Sequence, residues 1–387
     1  MTRSLPRLII HATAVVLVLA GAAVAIASSS QAESPPPAKP LAQAIHDALA
    51  APAPAGVSGR IEFTNRLVDS AAVPRGGDNP LLSGASGRFW IARDGRARLE
   101  LQSPAGDAQV QLDGDRLSVY EPASNTIYTV PTGGDEREGT EAPQDVAGIE
   151  AALARLARSV ALTGAEPGTV AGQAAYSVRI APRHDGGLVG AAELAWDAAH
   201  GVPLRAAVYA QGEPEPVLEL KATDVSFGPV AERDVAVQRP DDARVVDIGQ
   251  AVGGGAVVPH GDGMGKDAAV AAVQDRLSFK LSAPASLAGL PRRSVRTVRS
   301  DDETGALVTY GKGLGALMVV EQPAGAGGGE LGAGGVPGLQ ELSIDGATAH
   351  ELATALGTVV EFERDGVSFM VLGSVPPAAA EAAARAL

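Results

Sequence analysis

The stretch Asp115–Val130, DRLSVYEPASNTIYTV, holds two of the chain's five tyrosines and reads as two strands around a turn. Pairing Tyr120 with Ile127 gathers Leu117, Val119, Tyr128 and Val130 on one face and leaves Ser118, Tyr120, Ile127 and Thr129 on the other. A slip of one residue would put Thr129 and Pro131 among the apolar side chains, so the alternation selects the first register. An antiparallel hairpin with one apolar face is the expectation, and the question is what that face covers.

The same period of two extends upstream. RIEFTNRL sets Ile61, Phe63 and Leu67 against Arg60, Glu62, Thr64 and Arg66. In RFWIARDGRARLELQ, Phe89 and Ile91 share a face with Ala97, Leu99 and Leu101 across an Asp94-Gly95 turn, and AQVQLDGDRLSVY adds Val110 and Leu112 before a second turn at Asp113-Gly114. Asp-Gly pairs between alternating runs mark tight hairpins, so these segments predict an antiparallel meander. Strands resume at AAYSVRIAP, AELAWD (with Trp196), VPLRAAVYA and VLELKATDVSF, making about ten strands before RPDDARVVD. Two helices are expected among them: LAQAIHDALA, with Leu41, Ile45 and Leu49 on one face, and a stripe of Val146, Ile149, Leu153, Leu156 and Val160 capped by Asp145.

A chain of 387 residues is long enough for two domains with real cores. Aromatic residues are only 3% of it, so those cores must be built from Val, Leu, Ile and Ala. The net charge of −14, without any Lys/Arg block, argues against nucleic acid and anionic membrane surfaces as partners. Cysteine is absent, which removes disulfides, thiolate metal sites, Cys nucleophiles and a lipid attached through Cys.

Residues 1–32 read as a signal peptide or membrane anchor: Arg3 and Arg7 precede the uncharged run Leu8–Ala27, and Ser30-Gln31-Ala32 suits a signal peptidase. The run is also long enough to span a bilayer, so a secreted and an anchored form both stay open, each of them extracytoplasmic. A Pro-rich spacer and short helix (33–56) lead into the strand-rich domain (57–248). The glycine-rich run 249–265 reads as a linker, and 266–387 as a smaller α+β domain. In that domain Leu277, Phe279 and Leu281 alternate, GALVTY and GALMVVEQ form a hairpin, and VVEFERDGVSFMVLG forms another about Asp365-Gly366.

Chemistry-bearing motifs fail one by one. HELAT, His350–Thr354, has Thr354 where a zinc protease needs its second histidine, and Thr348 with Glu351 reads as the capping box of a short helix stopped at Gly357. GGGELG (327–332) precedes Gly334, Gly335 and Pro337 where a nucleotide-binding helix should begin. Neither Gly265-Lys266 nor Gly311-Lys312 completes a phosphate loop, and no GxSxG elbow is present. The histidines, at 11, 46, 184, 200, 260 and 350, are scattered without ligand spacing. No catalytic residue, metal site or cofactor is assigned, and the chain reads as a binding protein.

Helix supply then decides what the apolar face is for. About ten strands offer a large curved face, and the two predicted helices are too few to cover it. An acyl chain of a dozen methylenes buried there would gain roughly 10 kcal/mol gross, at about 0.8 kcal/mol per CH₂. Strand parity nominates Phe63, Phe89, Ile91, Leu99, Leu101, Val110, Leu112, Leu117, Val119, Tyr128, Val130 and Trp196 as the lining of a lipid cavity.

From about Gly59 to Asp247 the order of these segments resembles the LolA-like lipoprotein carriers and the N-terminal domain of RseB-type envelope-stress regulators. Residues 277–387 look like the smaller domain that follows it in the RseB-type proteins. The resemblance implies a mainly β protein: a curved, open antiparallel half-barrel with helices in its mouth, holding acyl chains in its concavity, plus a small α+β C-terminal domain. It implies lipid or lipoprotein acyl chains as ligands. A membrane protein, an anti-sigma factor or a transporter, is a further implied partner. Two readings follow, a carrier or chaperone and an envelope-stress sensor.

Overall fold

The computed structural model describes residues 34–68, 80–104, 106–132, 145–184, 186–236, 240, 242–247, 266–300, 303–325 and 338–387. The export segment, the glycine-rich run 249–265 and the GGGELG loop lie outside the described residues. No described helix is long and apolar enough to cross a membrane.

After helix α1 (Leu41–Ala50), strand β1 (Gly56–Asn65) opens the sheet and a one-turn helix α2 (Pro80–Ser83) follows it. The meander β2 (Ala85–Ala92), β3 (Ala97–Ser103), β4 (Gly106–Asp113), β5 (Arg116–Glu121) and β6 (Thr126–Pro131) comes next. Its registers are those the alternation requires: Phe89 opposes Leu99, Val110 opposes Val119, and Tyr128 opposes Val119. Gly95 and Gly114 supply the positive φ values, 86° and 61°, that let the Asp-Gly turns close.

Asp145 caps α3 (Val146–Leu156), its carboxylate accepting the Gly148 N–H at 2.8 Å. Then β7 (Val160–Leu162), β8 (Glu166–Val170), β9 (Gln173–Pro182), β10 (Val189–Asp197), β11 (Pro203–Ala210) and β12 (Pro216–Phe227) form the second arm. Antiparallel pairing of β12 with β1 joins the arms. Past a turn of helix α4 (Glu232–Val235), β13 (Arg244–Asp247) lies parallel to β6. The result is an open, curled thirteen-stranded sheet, a half-barrel in a mainly β chain.

The second unit has helix α5 (Lys266–Gln274), strands β14 (Ser286–Leu287), β15 (Leu290–Ser300), β16 (Glu303–Tyr310), β17 (Leu317–Pro323), β18 (Leu339–Ile344), β19 (Ala347–Thr354), β20 (Gly357–Arg364) and β21 (Val367–Gly373), and helix α6 (Pro377–Arg385). They form one eight-stranded sheet in the order β14-β15-β16-β17-β21-β20-β19-β18. Val273 of α5 and Ala380, Ala383 and Ala384 of α6 pack on one face, over Val360, Phe362, Phe369 and Val371. The Phe362 and Phe369 rings stack at 4.9 Å.

Several expectations are corrected. HELAT is not a helix. It is the end of β19, hydrogen-bonded between β18 and β20, and Glu351 is buried rather than capping. Ladders on both sides pair His350 to Leu352, and β20 continues the pairing to Thr354, so the backbone has partners without a helix. The stretch with Leu277, Phe279 and Leu281 forms no strand; it lies against the core of the second unit. Helix α1 buries Ala42 and Ala44 while Leu49, expected on the inner face, is 62% exposed. Leu156 of α3 is also exposed, and Val160 belongs to β7. On the other face of the opening hairpin, Ser118, Ile127 and Thr129 are buried as well.

Candidate functional site

Along every strand from β6 to β9, alternate side chains point to the inside of the curl. Phe63, Leu99, Leu101, Val110, Leu117, Val119 and Tyr128 join Ile61, Ala206 and Leu218 in one buried cluster, with Phe89 and Val130 at its border. Seven of the twelve candidate residues are thus brought together as buried members, and two more pack against them. Ile91 lies further along the same face with Val57, Leu204 and Val225. Leu112 is half-buried and belongs to no cluster.

Trp196 is on the same inner face but at the far arm, away from the main group. It packs with Tyr176, Val178 and Ala165 under Ala44 of α1, its ring 6.2 Å from that of Tyr176. This end is closed by specific polar ties. The Tyr176 hydroxyl donates to the Pro37 carbonyl at 2.6 Å, and Lys39 reaches Asp47 at 2.6 Å. The hydrogen bond from Lys39, with a second from Gln43, holds the Asp47 carboxyl below its ordinary range. A helix in the mouth is therefore present at β9 and β10.

The other arm is covered differently. Among the described residues no long helix lies on β3 to β6. The covering side chains are Leu67, Val68 and Leu81, from the connection between β1 and β2, and Leu356, from the β19–β20 turn of the second unit. The turn is fastened there by the Ala355 N–H, which donates to the Leu67 carbonyl at 2.8 Å. Strand parity could find the wall residues because it is local. It missed Leu67's role as cover, Leu81 and Leu356, which nothing in their own neighbourhood marks.

The convex side is polar. Arg205 of β11 pairs with Glu193 and Glu219 and donates to the Tyr209 hydroxyl at 2.9 Å, and Arg179 sits 4.0 Å over the Tyr209 ring. Among the described residues no group of three or more His, Cys, Asp or Glu is placed to hold a metal ion.

No protein-family model matches the chain, and no curated protein matches it. Its fold is similar to that of solved structures. One is MucB in complex with MucA(peri), 17% identical over 89% of this chain and 94% of that one, with a TM-score of 0.41. The Pseudomonas aeruginosa MucA/MucB complex is 18% identical over 89% and 94%, with a TM-score of 0.40. A domain from Vibrio parahaemolyticus assigned to outer membrane lipoprotein sorting is 11% identical, covering 50% of this chain and 95% of its own, with a TM-score of 0.24.

Proposed function

We propose that the first unit is an extracytoplasmic carrier or chaperone that receives acyl chains of a lipid or lipoprotein on the inner face of its half-barrel. One observation carries this reading: among the described residues, the apolar wall spanning β3 to β6 is covered by a few side chains on connections, Leu81 of the one-turn helix α2 among them, rather than by a layer of long helices. A cover of a few side chains on connections is exchangeable, because an acyl chain offers the wall the same methylene contacts that Leu67 and Leu81 make. A packed helix layer would have to be unfolded to give the same access.

The seat of Leu356 supports a second reading, an RseB-type sensor. An incoming acyl chain would compete with a residue of the second unit, so occupancy of the wall and the position of that unit would be linked. The partner in this reading is a membrane protein such as an anti-sigma factor.

Binding of a fluorescent fatty acid to the full chain tests the reading by changing cover and wall in turn. Leu81→Ser, which loosens the cover, should raise apparent affinity. Val119→Asn on the wall should lower it about tenfold or more while circular dichroism stays native. The outer control is Ser86→Asp, because Ser86 is exposed and Ser118 is not. Absence of binding in the parent protein, or equal binding in the Val119 variant, overturns the proposal.

A further inference from the structure

On the convex side, where β12, β1 and β2 run side by side, the sheet carries a dimple of about 280 Å³ lined by Ser58, Arg60, Arg88, Trp90, Asp224 and Ser226 around Gly59. We propose that this dimple binds a phosphate group. Three observations carry the inference, and none involves the inner wall.

The first is charge placement. Arg60 and Arg88 stand directly opposite each other across β1 and β2. Like charges in this position repel, so a fold gains nothing from them unless an anion is shared. Among the described residues neither guanidinium has an acidic group within ion-pair distance. Glu100, which faces Arg88 from β3, is instead held by Arg98 at 2.5 Å. Elsewhere on this side Arg205 is matched by two carboxylates.

The second is shape. The ladder between β1 and β12 shifts between Arg60 and Ile61, so that Asp224 opposes Arg60 and Ala222 opposes Ile61, leaving Thr223 as an extra residue. A bulge of this kind re-aims side chains and is over-represented beside binding sites.

The third is the donor set. Two arginines and the hydroxyl-bearing Ser58 and Ser226 line the same dimple, and Trp90, held under Arg98 with 5.9 Å between the guanidinium and its ring, supplies an apolar side wall. Planar forks match the oxygens of a phosphate two at a time, and the hydroxyls supply donors for the remaining edge. Asp224 leaves the dimple with one net positive charge, which suits a monoester or diester phosphate on a protein that is otherwise acidic. A free phosphate compound and a phospholipid headgroup share this chemistry.

The test uses the full chain and inorganic phosphate, read by Trp90 fluorescence in a Trp196→Phe background at constant ionic strength. A saturable change is expected. It should be lost in Arg60→Gln/Arg88→Gln and kept in Arg116→Gln, an exposed arginine of β5. Asp224→Asn should tighten binding roughly three- to tenfold, the effect of removing one like charge at a partly solvated site, and this gain cannot arise from misfolding. Sedimentation with phosphatidylglycerol vesicles separates the sources: Arg60- and Arg88-dependent capture identifies a headgroup, and phosphate binding without capture identifies a free phosphate compound. No saturation by phosphate, or the same response in the double variant, overturns the proposal.

Discussion

The Oε2 atom of Glu321 on β17 accepts the Ser282 N–H at 2.8 Å, deep in the second unit, while the Glu321 side chain is completely buried. Ser282 in turn donates through its hydroxyl to the carbonyl of Leu387 at 3.0 Å, so this carboxyl sits at the junction of the chain's last residue and the segment after α5. Burial pushes its pKa up to about 8, and the Ser282 N–H offsets only part of that rise. Tyr310, buried close by, is also pushed up by burial and by the charge of Glu321.

Folding therefore holds a proton on Glu321 that the unfolded chain, with the ordinary value of 4.5, has lost. The folded state binds more protons between about pH 4.5 and 8, so stability falls as pH rises through that window and is level above it. The expected loss is on the order of a few kcal/mol. Glu321→Gln keeps an acceptor for Ser282 and removes the titration. Thermal melting across pH 5 to 9 should show a flatter profile for this variant, with the gain in Tm largest at the alkaline end. Parallel profiles for the two proteins would contradict this account.

Arg205 should be costly to truncate. It lies between Glu193 and Glu219 on three adjacent strands, largely buried, and deleting it leaves Glu219 without its cation and Glu193 with only Arg179 at 3.6 Å. Arg205→Ala is expected to lose about 2–4 kcal/mol in urea unfolding, with part recovered when Glu193→Gln and Glu219→Gln are added to it. No recovery in the triple variant would mean that packing of the Arg205 stem, rather than its charge, is what matters.

Gly187 sits at one of the contacts between the two units. Its φ is 60°, and a Cβ there would lie 1.9 Å from the Ser374 carbonyl that accepts the neighbouring Leu188 N–H at 3.0 Å. Gly187→Ala should break this contact without touching either core. Calorimetry should then resolve two transitions, or separate them further than in the parent protein. A single unchanged transition would show that the Ala355–Leu67 hydrogen bond, the seat of Leu356 and the packing of Val68 and Leu82 on Leu352 and Val359 suffice without it.

At Gly59 a single methyl is expected to undo the join between the arms of the half-barrel, because the Asp224 carbonyl 2.1 Å away is backbone in a ladder and cannot yield. Gly59→Ala should cost more than about 3 kcal/mol, well beyond the usual effect of a surface substitution. Hydrogen exchange would locate the damage in β1 and β12 first, and protection spread evenly over the sheet would argue against it.

The local chemistry of the chain was enough for the meander. Asp94-Gly95, Asp113-Gly114 and Asp365-Gly366 close hairpins within a few residues, and a period of two leaves one register that keeps Leu117, Val119, Tyr128 and Val130 together. These are short-range effects, so each is complete in the stretch that shows it. Partners far away in sequence decided the rest. Thr348 and Glu351 suit a helix start taken alone, yet β18 and β20 on either side offer a full ladder, and the sum of those hydrogen bonds outweighs a local cap. The pairing of β1 with β12 and the parallel addition of β13 to β6 have no local signature either. For the inner wall, parity alone chose its residues. Which leucines cover it, and that Leu356 comes from a separate sheet, was decided by tertiary contact, because burial of an apolar side chain is indifferent to how many residues separate it from its neighbours.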